Sequence, residues 1–383
     1  MPEDDPSSAG AGADPLAGYE DWPAAVRAAA PFQGRDEAVT RLGRVLGVHR
    51  RPVPAVAEED RRTVDGVTVA RLRWSVGYGP GTTAWLLRPA GVTGPLPGVL
   101  GMHCHGGVRS VGAEQLVDLG PAARPRAVAL REAWYAGRAP ANELARRGAV
   151  VLVHDTFSWG SRRFDLSQPT PRLARLLDAQ AALWREQQVS PDEDARFDRA
   201  ADLHEDTLAK AAGVLGQTFA GAVLTDDLVA LDVLATTAGV DAGRLATFGF
   251  SGGGGRSLLL SALDARVRAC VVSCMMATYA SLIPGHLDSH SWLLHVPGLW
   301  SSLDWPDLTL LAQARFLVQY RSGDHLFPPA GMRAAHEHLL TAHGTTGRYR
   351  GTATDGGHEF DAAMQEEAIA FLTADPGPAV PTA

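Results

Sequence analysis

Apolar runs that alternate with helical segments are the feature that most constrains the fold of this chain. Short, mainly apolar runs that predict buried strands lie at 99–103, 149–155, 245–250, 267–274 and 314–320. Strands that are apolar on both faces belong to parallel sheets with helices on both sides. An alternating pattern around a Gly-Pro-Gly turn at 62–88 precedes them and predicts an antiparallel hairpin. We therefore expect an α/β fold with a mostly parallel, mixed sheet.

Helical spacing fills the intervals between these runs. The predicted helices lie at 20–47, 141–147, 218–237, 255–263, 331–343 and 360–373, and a last strand lies at 348–354. Helices on both faces of the sheet complete the expected architecture.

Two long segments interrupt the alternation, and we interpret them as covers over the sheet. Residues 156–217 are rich in charge and have helical spacing at Leu173, Leu176, Leu177, Ala181 and Trp184. Residues 275–311 contain the aromatic residues Tyr279, Trp292, Trp300 and Trp305. Connections of this length are usually functional when they are not disordered. We expect a single domain over 19–375 with N-terminal helices and helical cover insertions, between a disordered N-terminus (1–18) and a flexible tail (376–383).

The composition excludes several classes of function. Of 383 residues, 45% are apolar and 20% are charged, as in an ordinary globular protein. The net charge of −8 disfavours nucleic acids and anionic membranes as partners. No run reaches the ~18 apolar residues of a membrane span, and the N-terminus lacks the pattern of a secretory signal. The three cysteines (Cys104, Cys270 and Cys274) form no disulfide framework, so the sequence predicts a cytoplasmic protein. Self-association as a homo-oligomer stays open.

The most specific motif is Gly249-Phe250-Ser251-Gly252-Gly253, which lies between a predicted strand and a predicted helix. A G-x-S-x-G pattern in that context is typical of a nucleophile elbow, in which a tight turn presents the serine above the sheet edge. The alternative is a glycine-rich loop that packs a helix on a strand or binds phosphate. However, the Lys-Ser/Thr of a P-loop and the G-x-G-x-x-G spacing are missing. We predict that Ser251 is a nucleophile.

A serine nucleophile needs a base and an orienting carboxylate, and in this architecture the chain order is serine, acid, histidine. Asp324 follows a predicted buried strand, and His358 lies between the last strand and the last helix. Both positions are loops at the carboxyl ends of strands, where open α/β sheets place their sites. The alternatives are a turn-forming aspartate and a histidine at a helix N-terminus. Rival carboxylates, none of which follows a clear strand, are Asp288, Asp304 and Asp307.

An oxyanion needs two N–H donors, commonly from the residue after the nucleophile and from the loop after the third strand. Gly252 supplies the first. In the segment His103-Cys104-His105-Gly106-Gly107 we predict Gly107 as the second. His103 and His105 are expected to support this loop or to line the pocket. A His-x-His pair could instead begin a metal site, but no third ligand with a recognisable spacing lies nearby, so we predict no metal.

These motifs resemble those of the α/β-hydrolase superfamily over roughly residues 60–373. More narrowly, the chain resembles the acetylxylan esterase-like and dienelactone hydrolase-like bacterial branch. The segments that carry this resemblance are 105–107, 155–162, 249–256, 323–328 and 357–360. The resemblance implies the α/β-hydrolase fold, a nucleophile–acid–base set of Ser251, Asp324 and His358, and oxyanion amides at Gly107 and Gly252.

The expected reaction is hydrolysis of a small-molecule carboxylic ester through an acyl-enzyme, without a cofactor. The residues predicted to line the substrate pocket are His105, Phe250, Trp159 and Trp292. Two other classes stay open. One is acyl transfer, cyclisation or C–C bond hydrolysis in secondary metabolism by the same three residues, and the other is non-catalytic ligand binding. Arg162, Arg163 and Arg256 could bind a substrate carboxylate or form structural ion pairs.

Overall fold

The computed structural model of the chain describes residues 35–301 and 303–374. The predictions for 1–18 and 376–383, and for a helix before residue 35, lie outside this part of the chain. The described strands are β1 (Ala57–Val64), β2 (Val67–Trp74), β3 (Thr82–Pro89), β4 (Leu96–Met102), β5 (Val150–His154), β6 (Val240–Phe250), β7 (Val267–Ser273), β8 (Arg315–Arg321) and β9 (Tyr349–Thr354). The described helices are α1 (Arg35–Leu46), α2 (Pro125–Trp134), α3 (Pro140–Arg146), α4 (Pro171–Glu186), α5 (Glu193–Val214), α6 (Phe219–Thr236), α7 (Gly252–Leu263), α8 (Tyr279–Leu282), α9 (Leu308–Leu311), α10 (Pro329–His343) and α11 (Ala362–Thr373).

The strands form one sheet in the order β1-β2-β3-β5-β4-β6-β7-β8-β9. β1, β2 and β3 pair in antiparallel fashion, and β3 is also antiparallel to β5. All pairs from β5 to β9 are parallel. The prediction of a mostly parallel, mixed sheet that begins with an antiparallel hairpin is confirmed.

Side chains of the central strands alternate between two hydrophobic cores, one on each face of the sheet. Leu100 and Leu152 belong to the core that includes α1, α6 and α7. Val99 and Val151 belong to the core that includes α3 and α11. Because successive strand residues point to opposite faces, a strand that is covered on both sides must be apolar at every position. This is the reason that continuous apolar runs mark these strands in the sequence.

Two elements carry no signal that predicts them. β1 is charged at 58–62 and largely exposed, because it lies at the sheet edge and pairs only with β2. α2 buries only Ala127, Leu130 and Arg131, so it lacks a continuous apolar stripe.

The two covers differ in structure. The first, 156–217, contains α4 and α5, whose first turns are capped by the side chains of Thr170 and Asp192. The second, 275–311, consists mainly of turns with the short helices α8 and α9. None of the helices in the described ranges combines the length and the apolarity that a membrane crossing requires.

Candidate active site

Ser251 occupies a sharp turn between the end of β6 and the start of α7. Its φ of 54° and ψ of −130° lie in a sparsely populated backbone region, which is tolerated where the surroundings fix the conformation. Its N–H donates to Ser273 O on β7 (2.9 Å). A Cβ at Gly253 would lie 2.1 Å from Met102 O, and a Cβ at Gly249 would lie 2.1 Å from the carbonyl carbon of Gly253. These glycines therefore allow α7 to begin in direct contact with β4 and β6.

A cavity of about 800 Å³ adjoins this turn. It is lined by the turn itself, the loop after β4, helix α5, the 288–294 segment of the second cover, and the loops after β8 and β9. The predicted site residues that line it are His105, Gly107, Phe250, Ser251, Gly252, Trp292 and His358. A larger cavity of about 1330 Å³, lined in part by Arg163, lies between the β2–β3 hairpin and the α4–α5 pair and contains none of them. The smaller cavity is therefore the candidate active site.

Asp324 and His358 contact each other beside this cavity. His358 Nδ1 lies 2.8 Å from Asp324 Oδ2, and the carboxylate is buried. The other carboxylate oxygen accepts from Leu326 N–H (3.0 Å), which fixes the orientation of the group. The ring of Phe250 packs against the imidazole at a centroid distance of 4.7 Å. With Nδ1–H donated to the carboxylate, Nε2 of the neutral imidazole is left as an acceptor.

The three rival aspartates have other roles. Asp304 accepts from Trp305 N–H (2.7 Å) and caps a turn of the second cover. Asp307 Oδ1 lies 2.6 Å from Nε2 of His338. Asp288 is an exposed residue of the cavity wall. Of these four aspartates, Asp324 is the one that is bonded to His358.

The aromatic residues of the covers divide between the cavity and the core. Trp292, which is 37% exposed, lines the cavity, and its Nε1 donates to Asp206 on α5 (3.0 Å). Trp159 lies outside the cavity, which corrects its prediction as a pocket residue. Its indole is fully buried behind His105, edge-on to that imidazole at a centroid distance of 5.5 Å. Trp305 is likewise part of the core.

The structural interpretation of Arg162 and Arg256 is correct, because both guanidinium groups are buried in ion pairs. Arg162 Nε lies 3.0 Å from Asp226, and Arg256 Nη2 lies 2.6 Å from Asp227. Arg256 Nη1 also donates to the carbonyl of His103 (3.1 Å). This ion pair therefore supports the loop after β4, and neither Arg256 nor Asp227 is among the residues that line the cavity.

The two predicted oxyanion donors lie in different surroundings. Gly252 is the first residue of α7, where amides have no intrahelical acceptor and the positive end of the helix dipole lies. The amide of Gly107, which has a φ of 60°, donates its hydrogen to His105 Nδ1 (3.0 Å). Gly107 remains the donor that the sequence predicts. In this conformation, however, its amide hydrogen is bonded to His105 Nδ1.

One group of three side chains within the described residues has ligand atoms close enough to share a metal ion, and its members are Cys274, Asp324 and His358. Burial raises the pKa of the Cys274 thiol well above its usual value. The thiol therefore stays protonated, and a protonated sulfur is a poor metal ligand. His103 and His105 do not belong to this group.

Three further residues of the site were not singled out in the sequence. Glu205 of α5 is buried in the cavity wall and is bonded to Arg109 in the loop after β4. These partners are 96 residues apart, and the charged sequence of α5 is typical of a solvated helix, so no local pattern predicts their contact. His290 also lines the cavity, and burial lowers its pKa to about 4.

Comparisons with known proteins agree with this architecture. No family model matches the sequence. The chain is 25% identical over 294 residues to YtaP of Bacillus subtilis (strain 168), a protein named as a hydrolase, and the alignment covers 76% of this chain and 82% of YtaP.

Several solved structures of esterases share the architecture at low sequence identity. A glucuronoyl esterase from Solibacter usitatus matches with a TM-score of 0.58 and 14% identity, over 88% of this chain and 91% of that one. Acetyl xylan esterase 1 from Thermoanaerobacterium sp. JW/SL YS485 matches with a TM-score of 0.52 and 16% identity, over 91% and 97%. An acetyl xylan esterase from Paenibacillus sp. R4 matches with a TM-score of 0.54 and 18% identity, over 91% and 98%. Together with the sheet order, these likenesses show that the chain has the fold of the α/β-hydrolase superfamily.

Proposed function

We propose that this protein is a serine hydrolase that cleaves a carboxylic ester of a small molecule. The observation that carries the proposal is the His358–Asp324 pair, whose Nδ1–Oδ2 distance is 2.8 Å. It shares a cavity of about 800 Å³ with Ser251, which stands on a strained strand-to-helix turn. A nucleophile, a base and an orienting carboxylate are the parts that acyl transfer to serine requires.

The reaction proceeds in two acyl-transfer steps. His358 Nε2 takes the Ser251 proton while Oγ attacks the ester carbonyl, and the resulting oxyanion is held by the Gly252 amide and a second amide from the loop after β4, for which the sequence predicts Gly107. The alcohol leaves with the proton from His358. A water that is deprotonated by the same imidazole then releases the acid and frees Ser251. Asp324 keeps the imidazole in the required tautomer and stabilises the imidazolium.

The comparisons support an ester as the bond that is cleaved. The solved structures that share the fold include enzymes named as acetyl xylan esterases and a glucuronoyl esterase. The cavity volume is in the range of pockets that enclose small molecules. The covers that roof this cavity set the choice of substrate, since the first supplies α5 and the second supplies the 288–294 segment, which includes Trp292.

The decisive experiment compares the wild type with Ser251→Ala. We expect a fluorophosphonate probe to label Ser251 in the wild type only, and the variant to lose at least about 10⁴-fold in kcat on whichever ester of a panel of acyl and alcohol groups is turned over. Full activity of the variant would refute the mechanism. An unlabelled wild type would indicate a non-catalytic ligand-binding protein. Esters or amides formed from added alcohols or amines would indicate an acyltransferase.

We place the protein in a reducing compartment, the cytoplasm. Cys104, Cys270 and Cys274 are all buried free thiols in the structure, which suits such a compartment. Fractionation of the source cells followed by probe labelling would test this location.

A further inference from the structure

Glu205 is a buried carboxylate in the wall of the cavity, and the proposed mechanism assigns it no role. Its Oε2 accepts from His105 Nε2 (3.0 Å) and from the guanidinium of Arg109. Its Oε1 accepts from Ser291 Oγ (2.7 Å) and from Trp292 N–H (2.8 Å). One carboxylate on α5 therefore binds both the loop after β4 and the second cover.

These contacts define the protonation of His105. Because Gly107 N–H donates to Nδ1 (3.0 Å), Nδ1 is an acceptor, and the imidazole hydrogen lies on Nε2 and is donated to Glu205. Burial lowers the pKa of His105 well below its usual value, and the charge of Arg109 acts in the same direction. His105 is thus neutral and engaged at both ring nitrogens, which leaves it unable to act as a base.

The backbone amide of His105 is available in this arrangement. Among the residues that the structure describes, none accepts a hydrogen bond from His105 N–H. A Cβ at Gly252 would lie 3.1 Å from His105 N and 3.0 Å from His105 Cβ. His105 and Gly252 therefore lie next to each other, and a side chain at 252 would contact the backbone of His105. The Gly107 amide, by contrast, is bonded to the imidazole.

We propose, on the basis of the proposed ester hydrolysis, that the second oxyanion donor is the backbone N–H of His105 and that Glu205 is its positioning residue. The imidazole is bonded at one nitrogen to Glu205 and at the other to Gly107, so the side chain and the backbone of His105 are held together. The amides of His105 and Gly252 stabilise the oxyanion. Gly107 closes the loop and makes no contact with the reacting atoms.

Replacing single amides by esters tests which N–H acts. Cell-free translation with imidazolelactic acid at 105 or glycolic acid at 107 exchanges the N–H for oxygen and keeps the side chain. At 105 we expect kcat/KM to fall about 100- to 1,000-fold. The affinity for a trifluoromethyl ketone, whose serine adduct carries the oxyanion, should fall by the same factor. At 107 the loss should be less than about a tenth of that. A larger loss at 107 would make Gly107 the donor and overturn the proposal.

Glu205→Gln tests the positioning role. A glutamine has one acceptor oxygen and cannot serve the four donors, so we expect kcat/KM and ketone affinity to fall together by about 10- to 100-fold. Asp198→Asn is the matched control. Asp198 is a second buried carboxylate of α5, and it accepts from the backbone N–H groups of Arg109 (2.8 Å) and Ser110 (2.7 Å). This control should be less stable than the wild type, but it should bind the ketone about as tightly as the wild type does. Equal losses of ketone affinity in the two variants would show that anchorage of the cover, and not His105, causes the effect.

A second pair of variants keeps the test decisive if Glu205→Gln does not fold. The side-chain oxygen of His105→Asn can replace Nδ1 as the acceptor for Gly107, so this variant should retain more ketone affinity than His105→Ala. Equal affinities would show that the side chain of His105 does not position its backbone amide, and the inference would then fail. Failure of fluorophosphonate to label the wild type would refute the proposed function itself, whereas a labelled wild type with an unaffected 105 ester would refute this inference alone.

Discussion

Two carboxylate–imidazole pairs lie beside the same cavity, and they differ in what the second ring nitrogen contacts. In the Asp324–His358 pair the carboxylate holds Nδ1 at 2.8 Å, and Nε2 is left for proton transfer. In the Glu205–His105 pair the carboxylate holds Nε2 at 3.0 Å, and Nδ1 accepts from a backbone amide. Under the proposed mechanism, the same two chemical groups therefore form a base in the first pair and a support for the loop after β4 in the second. The number of hydrogen-bonded ring nitrogens distinguishes these two roles.

Removal of each imidazole in turn gives the largest difference between the pairs. His358→Ala should lower kcat by about 10⁵-fold or more, since no proton acceptor remains for Ser251. His105→Ala should lower it by about 100-fold, the cost of one misplaced oxyanion donor. Steady-state kinetics on one ester would check both values. Losses of equal size would show that the two histidines are not functionally distinct.

Neutralising Asp324, the carboxylate of the first pair, is expected to cause the next largest decrease in kcat. Asp324→Asn keeps the shape of the side chain but no longer fixes the tautomer of His358, so kcat should fall by about 10⁴-fold. Asp307→Asn, which removes the carboxylate bonded to the exposed His338, serves as the control. A loss in Asp324→Asn no greater than that in the control would remove Asp324 from the mechanism.

Stability against pH should reveal the buried, neutral state of His105. Its pKa in the folded protein is well below the unfolded value of about 6.5. Above about pH 6.5, the imidazole of His105 is neutral in both the folded and the unfolded protein. As the pH falls below it, the unfolded chain binds a proton that the folded chain does not, so the free energy of unfolding decreases by about 1.4 kcal/mol per pH unit. Denaturant titrations at several pH values should show a flatter decrease in His105→Asn than in the wild type. An unchanged slope would contradict the buried neutral imidazole, and exposed His338→Asn is the control.

The charge of the cavity wall around Glu205 should produce the smallest effect. Asp202 and Asp206 flank Glu205 on α5, Asp288 lies opposite in the second cover, and no Lys or Arg is among the lining residues described. We expect a choline ester to be cleaved a few-fold faster than its uncharged 3,3-dimethylbutyl isostere, about 1 kcal/mol or less per exposed charge. The preference in kcat/KM should shrink at high salt and in Asp288→Asn. A preference for an anionic ester would refute this interpretation.

The sequence predicts the scaffold better than the walls of the cavity, for physical reasons. The parallel strands are buried on both faces and must be apolar throughout, and a nucleophile elbow requires glycines at fixed positions beside Ser251. Both requirements act on neighbouring residues, so they leave a readable pattern. Glu205 meets His105 across 100 positions of the chain, and the burial of Trp159 depends on Phe219 packing against it. Contacts of this kind are set by tertiary packing and leave no local trace.

The glycines of the elbow also determine where this protein can acquire new specificity. Backbone atoms already fill the space that a methyl group at 249 or 253 would need. Substitution of either glycine would therefore disrupt the turn, and neither position is useful in laboratory evolution. Positions 202, 206 and 288 carry exposed side chains in the cavity wall, and substitutions there disturb no packed interior. A mutant library confined to these three sites would vary the cavity wall while the turn that carries Ser251 stays constant.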